Sequence, residues 1–160
     1  MTINLEPMML HMAWANQEIF KEIAKLPDEA LNAYVTNEEW HVAEILHHIV
    51  QAADNYGCRI AGGKYFEFPQ PKKMKEVLVM AENLKKHDAR LLELSKLEDK
   101  TVEINRDGKI SHWQASTILS QAIHHATEHR AQAIAALEFR GFKAPSLDDY
   151  DLWAYEYLTK

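Results

Sequence analysis

The chain has one cysteine, no excess of basic residues and no long apolar run. Cys58 is the only cysteine, which excludes an intrachain disulfide and a zinc site built on cysteines. No stretch approaches the roughly 18 consecutive apolar residues that a membrane-spanning helix needs. The formal net charge is −6, whereas a dedicated nucleic-acid binder needs a basic face. We therefore expect neither nucleic acid nor a membrane among the partners.

A targeting signal is also missing from the sequence. The first residues lack the basic start, the apolar run and the small-residue cleavage site of a signal peptide. A single cysteine fits a reducing compartment, so we expect a cytoplasmic protein. The 160 residues predict one domain, over residues 1–160, that is large enough to bury its own core.

Most of the five glycines and five prolines fall at the ends of runs with helical periodicity. These runs predict four long helices and a short last one, over residues 5–26, 37–61, 72–97, 113–139 and 147–158. Asn37 is the expected N-cap of the second helix. Residues 101–113 lack helical periodicity and contain Asp107-Gly108, which predicts a short hairpin or an extended loop. The fold class is therefore all-α, a four-helix bundle with this insertion before helix 4 and a short C-terminal helix.

Three of the nine histidines are predicted to point inward. His125 and His129 are four residues apart on the predicted helix 4, so their imidazoles face the same way. On helix 2, His48 lies on the apolar stripe, whereas its neighbour His47 lies on a more polar one. Histidine is the commonest side-chain metal ligand, and three imidazoles leave a metal with open positions. The periodicity therefore selects His48, His125 and His129 as candidate metal ligands.

The same histidines also fit two roles without a three-histidine site. A histidine on an apolar stripe is most often a hydrogen-bonded core residue. Residues 125–129 moreover spell H-x-x-E-H, the inverted zinc-peptidase pattern, in which Glu128 would be the general base. However, Glu128 falls on a different stripe from the two histidines. Such peptidases also need a further carboxylate ligand and a larger body, so the three-histidine site is favoured.

With these residues in view, the chain resembles the DinB/YfiT-like family of small four-helix metal-binding proteins. The similarity covers most of the length. It includes residues 10–16 (LHMAWAN) and residues 45–50 (ILHHIV), where the family carries its first histidine ligand. It is most specific at residues 125–132 (HATEHRAQ), which are similar to the H-x-x-x-H-R-G-Q signature of the family. Ala131 stands where that signature has glycine.

The resemblance implies a three-histidine site for a divalent metal, nickel or zinc, with positions left for water or a substrate. It also implies a homodimer. Some family members, and relatives of the same fold, use a low-molecular-weight thiol such as bacillithiol or mycothiol in S-transfer or isomerisation. The expected partner is therefore a small-molecule substrate, with such a thiol as the first candidate.

The chemistry of three neutral imidazoles agrees with thiol transfer. They leave the positive charge of a divalent cation unneutralised, so a thiol reaching an open position would be deprotonated. The same cation can instead activate water. The leading hypothesis is a metal-dependent thiol S-transferase, and the alternatives are a metal-dependent hydrolase and a non-catalytic, metal-stabilised dimeric bundle.

Arg130 and Gln132 are the secondary catalytic candidates. Gln132 is chosen because it shares the inward stripe of His125 and His129. For Arg130, a surface or interface salt bridge accounts for the charge at least as well. Cys58 lies on a polar stripe, and we expect it to be a bystander to the chemistry.

Overall fold

The structure is a computed structural model that describes residues 4–159. It is mainly helical, with a two-stranded hairpin before the fourth helix, as the sequence predicts. The helices are α1 (Glu6–Ile23), α2 (Val42–Ala61), α3 (Met74–Ser95), α4 (Ala115–Phe139) and α5 (Leu152–Thr159). The strands are β1 (Thr101–Arg106) and β2 (Lys109–Gln114). Short 3-10 segments lie at Asp28–Asn32 and Leu147–Tyr150.

The first four helices close around one apolar core. α3 packs against α1 and α2, and α4 packs against α2 and α1, while α5 lies on the outside of α1. Large side chains from each helix fill the centre, among them Phe20, Ile45, Leu84 and Leu137, all at most 1% exposed. Burying one such side chain stabilises the fold by about 1.5–3 kcal/mol. Within residues 4–159, no helix is long and apolar enough to cross a bilayer.

The hairpin is confirmed, and its turn has the geometry that Asp-Gly favours. Asp107 and Gly108 have φ angles of 51° and 81°, the left-handed pair of a type I′ turn. The strands pair antiparallel from Thr101 opposite Gln114 to Arg106 opposite Lys109. β1 contacts α2 and β2 contacts α4. The hairpin therefore lies across the two helices that carry the candidate ligands.

The predicted start of the second helix is wrong. α2 begins at Val42, and its N-cap is His41, whose Nδ1 accepts a hydrogen bond from the Glu44 amide at 3.2 Å. Asn37 instead closes a turn, in which its Oδ1 accepts from the Glu39 amide at 3.1 Å. Asparagine favours turns and N-caps for the same reason, because its side chain bonds to the nearby backbone. Trp40 consequently lies in a turn ahead of the helix.

Candidate metal centre

The structure brings His48, His125 and His129 together. His48 lies in the middle of α2, and the other two lie one turn apart on α4, which packs against α2. The Nε2 atom of His125 is 3.0 Å from that of His48 and 3.1 Å from that of His129. Among the described residues, this is the one group of three or more metal-ligating side chains that converges. The three residues selected by periodicity thus form a cluster that can hold a metal ion.

The donor atoms fit a metal better than they fit one another. Hydrogen bonds along both His125 contacts would require the single N–H, or the single lone pair, of His125 Nε2 to serve two partners at once. A tetrahedral ion with bonds of about 2.0–2.1 Å separates its nitrogen ligands by roughly 3.3 Å. The separations from His125 are 3.0 and 3.1 Å, and all three donor atoms lie within 4.8 Å of one another. Small adjustments of the three rings would therefore bring the nitrogens to the spacing that a divalent ion needs.

Gln132 sets the protonation of His129. Its Oε1 accepts a hydrogen bond of 2.9 Å from the indole N–H of Trp40, a group that can only donate. The amide nitrogen of Gln132 faces the Glu128 carboxylate at 3.4 Å, which fixes the same orientation. The same Oε1 lies 2.9 Å from Nδ1 of His129, so that nitrogen must carry the proton. In the neutral ring, the lone pair is then on Nε2, which faces the cluster.

The other two histidines are held in their neutral, metal-binding form. Burial lowers the pKa of His125 from 6.5 to about 4, and the neighbouring His129 and His48 add to the effect. Burial likewise lowers the pKa of His48, with His129 as the next cause. Because only a neutral imidazole offers a lone pair, both rings are available as ligands at neutral pH.

Gln132 and Arg130, the two secondary candidates, lie on different faces of α4. Gln132 contacts His129, so it is a positioning residue for a ligand. Arg130 is not at the surface, and the expected surface or interface salt bridge is wrong. It is 3% exposed and donates hydrogen bonds to Asn16 Oδ1 at 2.6 Å and Thr127 Oγ1 at 3.1 Å. Because neighbours on a helix are about 100° apart, Arg130 faces α1 where His129 faces α2.

The peptidase pattern is not assembled. Glu128 is exposed and lies outside the three-histidine cluster. Cys58 is buried away from the cluster, where it receives a 3.4 Å hydrogen bond from Arg90 and lies 3.6 Å from Asp54. Its expected role as a bystander stays a prediction.

Two aromatic side chains beside the histidines were missed by the sequence analysis. The Trp40 ring lies edge-on to the rings of His48 and His129, at centroid distances of 5.2 and 5.5 Å. Tyr56 lies edge-on to His125 at 5.7 Å, and burial raises the pKa of its hydroxyl above 10.0. The spacing of Tyr56, eight residues after His48, places it on the same stripe of α2. Nothing in the sequence pattern links Trp40 to the site.

An open cleft of about 250 Å³ leads from solvent to the cluster. His48 and His125 line its floor, and Tyr56 lines one side. Tyr56, Arg59 and Arg106 of this cleft also line a second cleft of about 310 Å³, together with residues of the hairpin. Molecules can therefore reach two of the three candidate ligands.

Comparisons with known proteins agree with this geometry. The sequence model of the DinB family matches residues 1–157. The fold is similar to the crystal structure of a DinB-like protein from Bacillus cereus ATCC 10987, with a TM-score of 0.64 and 19% sequence identity. That match covers 86% of this chain and 91% of the other. No curated protein sequence matches the chain.

Proposed function

This chain belongs to the DinB family, and from that premise we propose that it is a metal-dependent thiol S-transferase with nickel or zinc as its metal. His48, His125 and His129 would be the ligands. The proposed substrates are a low-molecular-weight thiol and a small electrophile.

The observation that carries the proposal is the convergence of three imidazole nitrogens, with two of the three rings lining an open cleft. A structural zinc site is typically closed by four protein ligands, whereas a catalytic one keeps a position for water or substrate. Within residues 4–159, no fourth His, Cys, Asp or Glu joins the cluster. Three ligands and solvent access are therefore the arrangement that a reactive centre needs.

The residues around the cluster have separate tasks. His48 and His125 stay neutral because they are partly buried, and they present lone pairs to the ion. Gln132 and Trp40 hold the His129 ring with Nε2 facing inward. When bound, the ion supplies positive charge that lowers the pKa of a thiol or a water molecule at an open position.

In the proposed reaction, the sulfur of the thiol forms a bond to an electrophilic carbon. The bond between that carbon and its leaving group breaks, and the leaving group departs with the electron pair. The thiol proton goes to solvent. The cleft floor brings the reacting sulfur to the histidines, while the clefts lined by the hairpin offer space for the electrophile.

The first test is metal content, measured by elemental mass spectrometry on untagged protein. We expect close to one nickel or zinc ion per chain in the wild type, and almost none in the His125→Ala, His129→Ala variant. Lack of metal in the wild type, even after incubation with zinc or nickel, would contradict the proposal.

Turnover is the second test. The metal-loaded protein is assayed with 1-chloro-2,4-dinitrobenzene and, in turn, bacillithiol, glutathione, cysteine and coenzyme A. We expect transfer with one of these thiols, lost on chelation while the circular dichroism spectrum is retained. A fold that melts on chelation, without turnover of any thiol, would favour the non-catalytic bundle.

A homodimer is also proposed. Trp153 and Tyr157 are one turn apart on α5 and are 82% and 86% exposed, so they offer an apolar surface. Light scattering should give twice the 18.5 kDa mass of the chain, and Trp153→Ser with Tyr157→Ser should lower it. A monomer mass at every concentration would contradict this.

A further inference from the structure

We propose that Arg59 and Arg106 bind an anionic group of the substrate in the cleft beside the histidine cluster. The inference rests on the proposed function and adds a substrate class to it. The substrate would carry a carboxylate or a phosphate at one end, an apolar or aromatic body, and its reacting atom near His48 and His125.

The position of the two arginines supports this. Arg59 extends from the last turn of α2, and Arg106 is the last residue of β1, ahead of the hairpin turn. Both line the cleft that has His48 and His125 on its floor, and both also line the neighbouring cleft under the hairpin. Two cations from distant parts of the chain are thus shared by the linings of both clefts.

Neither guanidinium has a hydrogen-bonding or carboxylate partner within residues 4–159. Arg59 has only the Tyr56 ring, whose centroid lies 6.0 Å from its Cζ. The other three arginines are paired: Arg90 donates to the Gly62 carbonyl, Arg130 to Asn16, and Arg140 to the Tyr34 carbonyl. The Nε of Arg59 is moreover buried without an acceptor. A buried donor left unpaired is unfavourable, so an acceptor arriving from outside would be stabilised there.

The charge of the cleft stands out against the rest of the molecule. The chain carries a net charge of −6, yet the two clefts contain two arginines and no aspartate or glutamate among their lining residues. Like charges in one cleft repel each other, and an anion between them removes that repulsion. Guanidinium groups bind carboxylate and phosphate through paired, charge-assisted hydrogen bonds.

The walls of the second cleft indicate the rest of the ligand. Ile104, Trp113 and Ile118 supply its apolar surface, and Ser111, Thr117 and Gln121 supply uncharged polar groups. Its volume of about 310 Å³ is at the lower end of the range for small-molecule sites. An aromatic or branched apolar group next to an anion matches this lining.

The test is a binding titration that needs no turnover. Full-length protein, as purified and after EDTA treatment, is titrated with 3-phenylpropionate, its neutral amide 3-phenylpropanamide, and phenyl phosphate. Binding is followed by the NMR signal of the Trp113 indole N–H, assigned with a Trp113→Phe variant. We expect at least one of the two anions to bind about tenfold more tightly than the amide. The tighter anion distinguishes a carboxylate-binding site from a phosphate-binding one.

Variants test whether the two arginines cause the preference for anions. Arg59→Met with Arg106→Met should weaken anion binding about tenfold or more and leave amide binding unchanged. Lys75→Met with Lys85→Met removes the same charge from exposed positions on α3 and should leave both unchanged. Equal binding of the anions and the amide by the wild type would overturn the proposal, even if the double arginine variant did not fold. Unchanged anion binding by a folded arginine variant would overturn it as well.

The two proposals can fail separately. Metal content and its loss in the His125→Ala, His129→Ala variant test the metal centre alone. Anion binding that persists after EDTA treatment and depends on the arginines tests the inference alone.

Discussion

Two of the polar clusters in this bundle include residues of the same turn of α4. The histidine cluster is partly open to a cleft, and its three nitrogens face one another without enough protons to satisfy them. The other cluster joins Asn16, Asp88 and Arg130 from α1, α3 and α4, each at most 3% exposed. There Asn16 donates to Asp88 at 2.9 Å and accepts from Arg130 at 2.6 Å.

The difference lies in where the missing partner comes from. In the Asn16–Asp88–Arg130 network, donors and acceptors are matched within the chain, apart from Asp88 Oδ1, which has no donor among the described residues. In the histidine cluster, three ring nitrogens converge, and a cation from outside would bind the lone pairs of all three at once. His129 and Arg130 are adjacent in sequence but belong to different clusters. One segment of α4 therefore contributes to a candidate metal site on one face and to a buried polar network on another.

The largest expected effect comes from breaking the buried network. Arg130→Met leaves Asn16 Oδ1 without its donor and Asp88 without a nearby cation, so we expect a loss of about 3–5 kcal/mol in the free energy of unfolding. His125→Gln should cost about 1 kcal/mol or less in metal-free protein, because that ring is partly exposed. Urea unfolding in EDTA at pH 8 measures both. A smaller loss for Arg130→Met than for His125→Gln would reverse the comparison.

The pH dependence of this loss follows from Asp88. Burial raises its pKa from 3.8 to about 7, opposed by the hydrogen bond from Asn16 and by the charge of Arg130. A folded-state pKa above the unfolded one means that stability falls as the pH rises from about 4 to 7. Without Arg130 this pKa should rise further, so the loss should be greater at pH 8 than at pH 5. Asn16→Ala is the milder control, with a loss of about 1–3 kcal/mol.

Added metal should stabilise the protein through the histidine cluster and not through the Asn16–Asp88–Arg130 network. Zinc at 100 times its dissociation constant should raise the free energy of unfolding by about 2.7 kcal/mol. Asn16→Ala should keep this increment, whereas His125→Ala with His129→Ala should lose it. Urea unfolding with and without zinc measures the increment. An equal increment in the histidine variant would show that zinc binds elsewhere.

A smaller effect is expected from the residue that orients His129. Gln132→Leu removes the acceptor for His129 Nδ1–H, so we expect metal affinity to fall about 10–100-fold. Gln121→Leu makes the same change on the same helix, beside Tyr56, and should change affinity less than twofold. Competition with a chelating dye measures the affinities. Equal affinities of the two variants would remove Gln132 from its positioning role.

Helical periodicity was sufficient to select the three histidines that cluster, but not the residues around them. His48, His125 and His129 could be selected because each lies on an inward stripe, and α2 and α4 proved to be neighbours. Trp40 could not, since it lies in a turn and meets Gln132 only through tertiary packing, 92 residues away in the chain. For Arg130, the sequence left a catalytic role and a surface or interface salt bridge open, and neither predicts a buried network. Only the arrangement of three helices shows that α1 and α3 supply its polar neighbours.

The last expected effect is the proton balance of the metal-free histidine cluster. The pKa of His125 is about 4 in the folded chain and near 6.5 when unfolded, so the unfolded state binds more protons between these values. The free energy of unfolding should therefore fall as the pH falls from 6.5 towards 4. The slope should correspond to a difference of less than one bound proton between the two states. In His125→Gln this fall should be shallower, as measured by urea unfolding in EDTA at several pH values. Asp88 acts with the opposite sign but equally in both proteins, so the difference isolates His125. Identical slopes would mean that the pKa of His125 is the same in the folded and unfolded states. The fold would then not keep this imidazole in the neutral form that binds a metal.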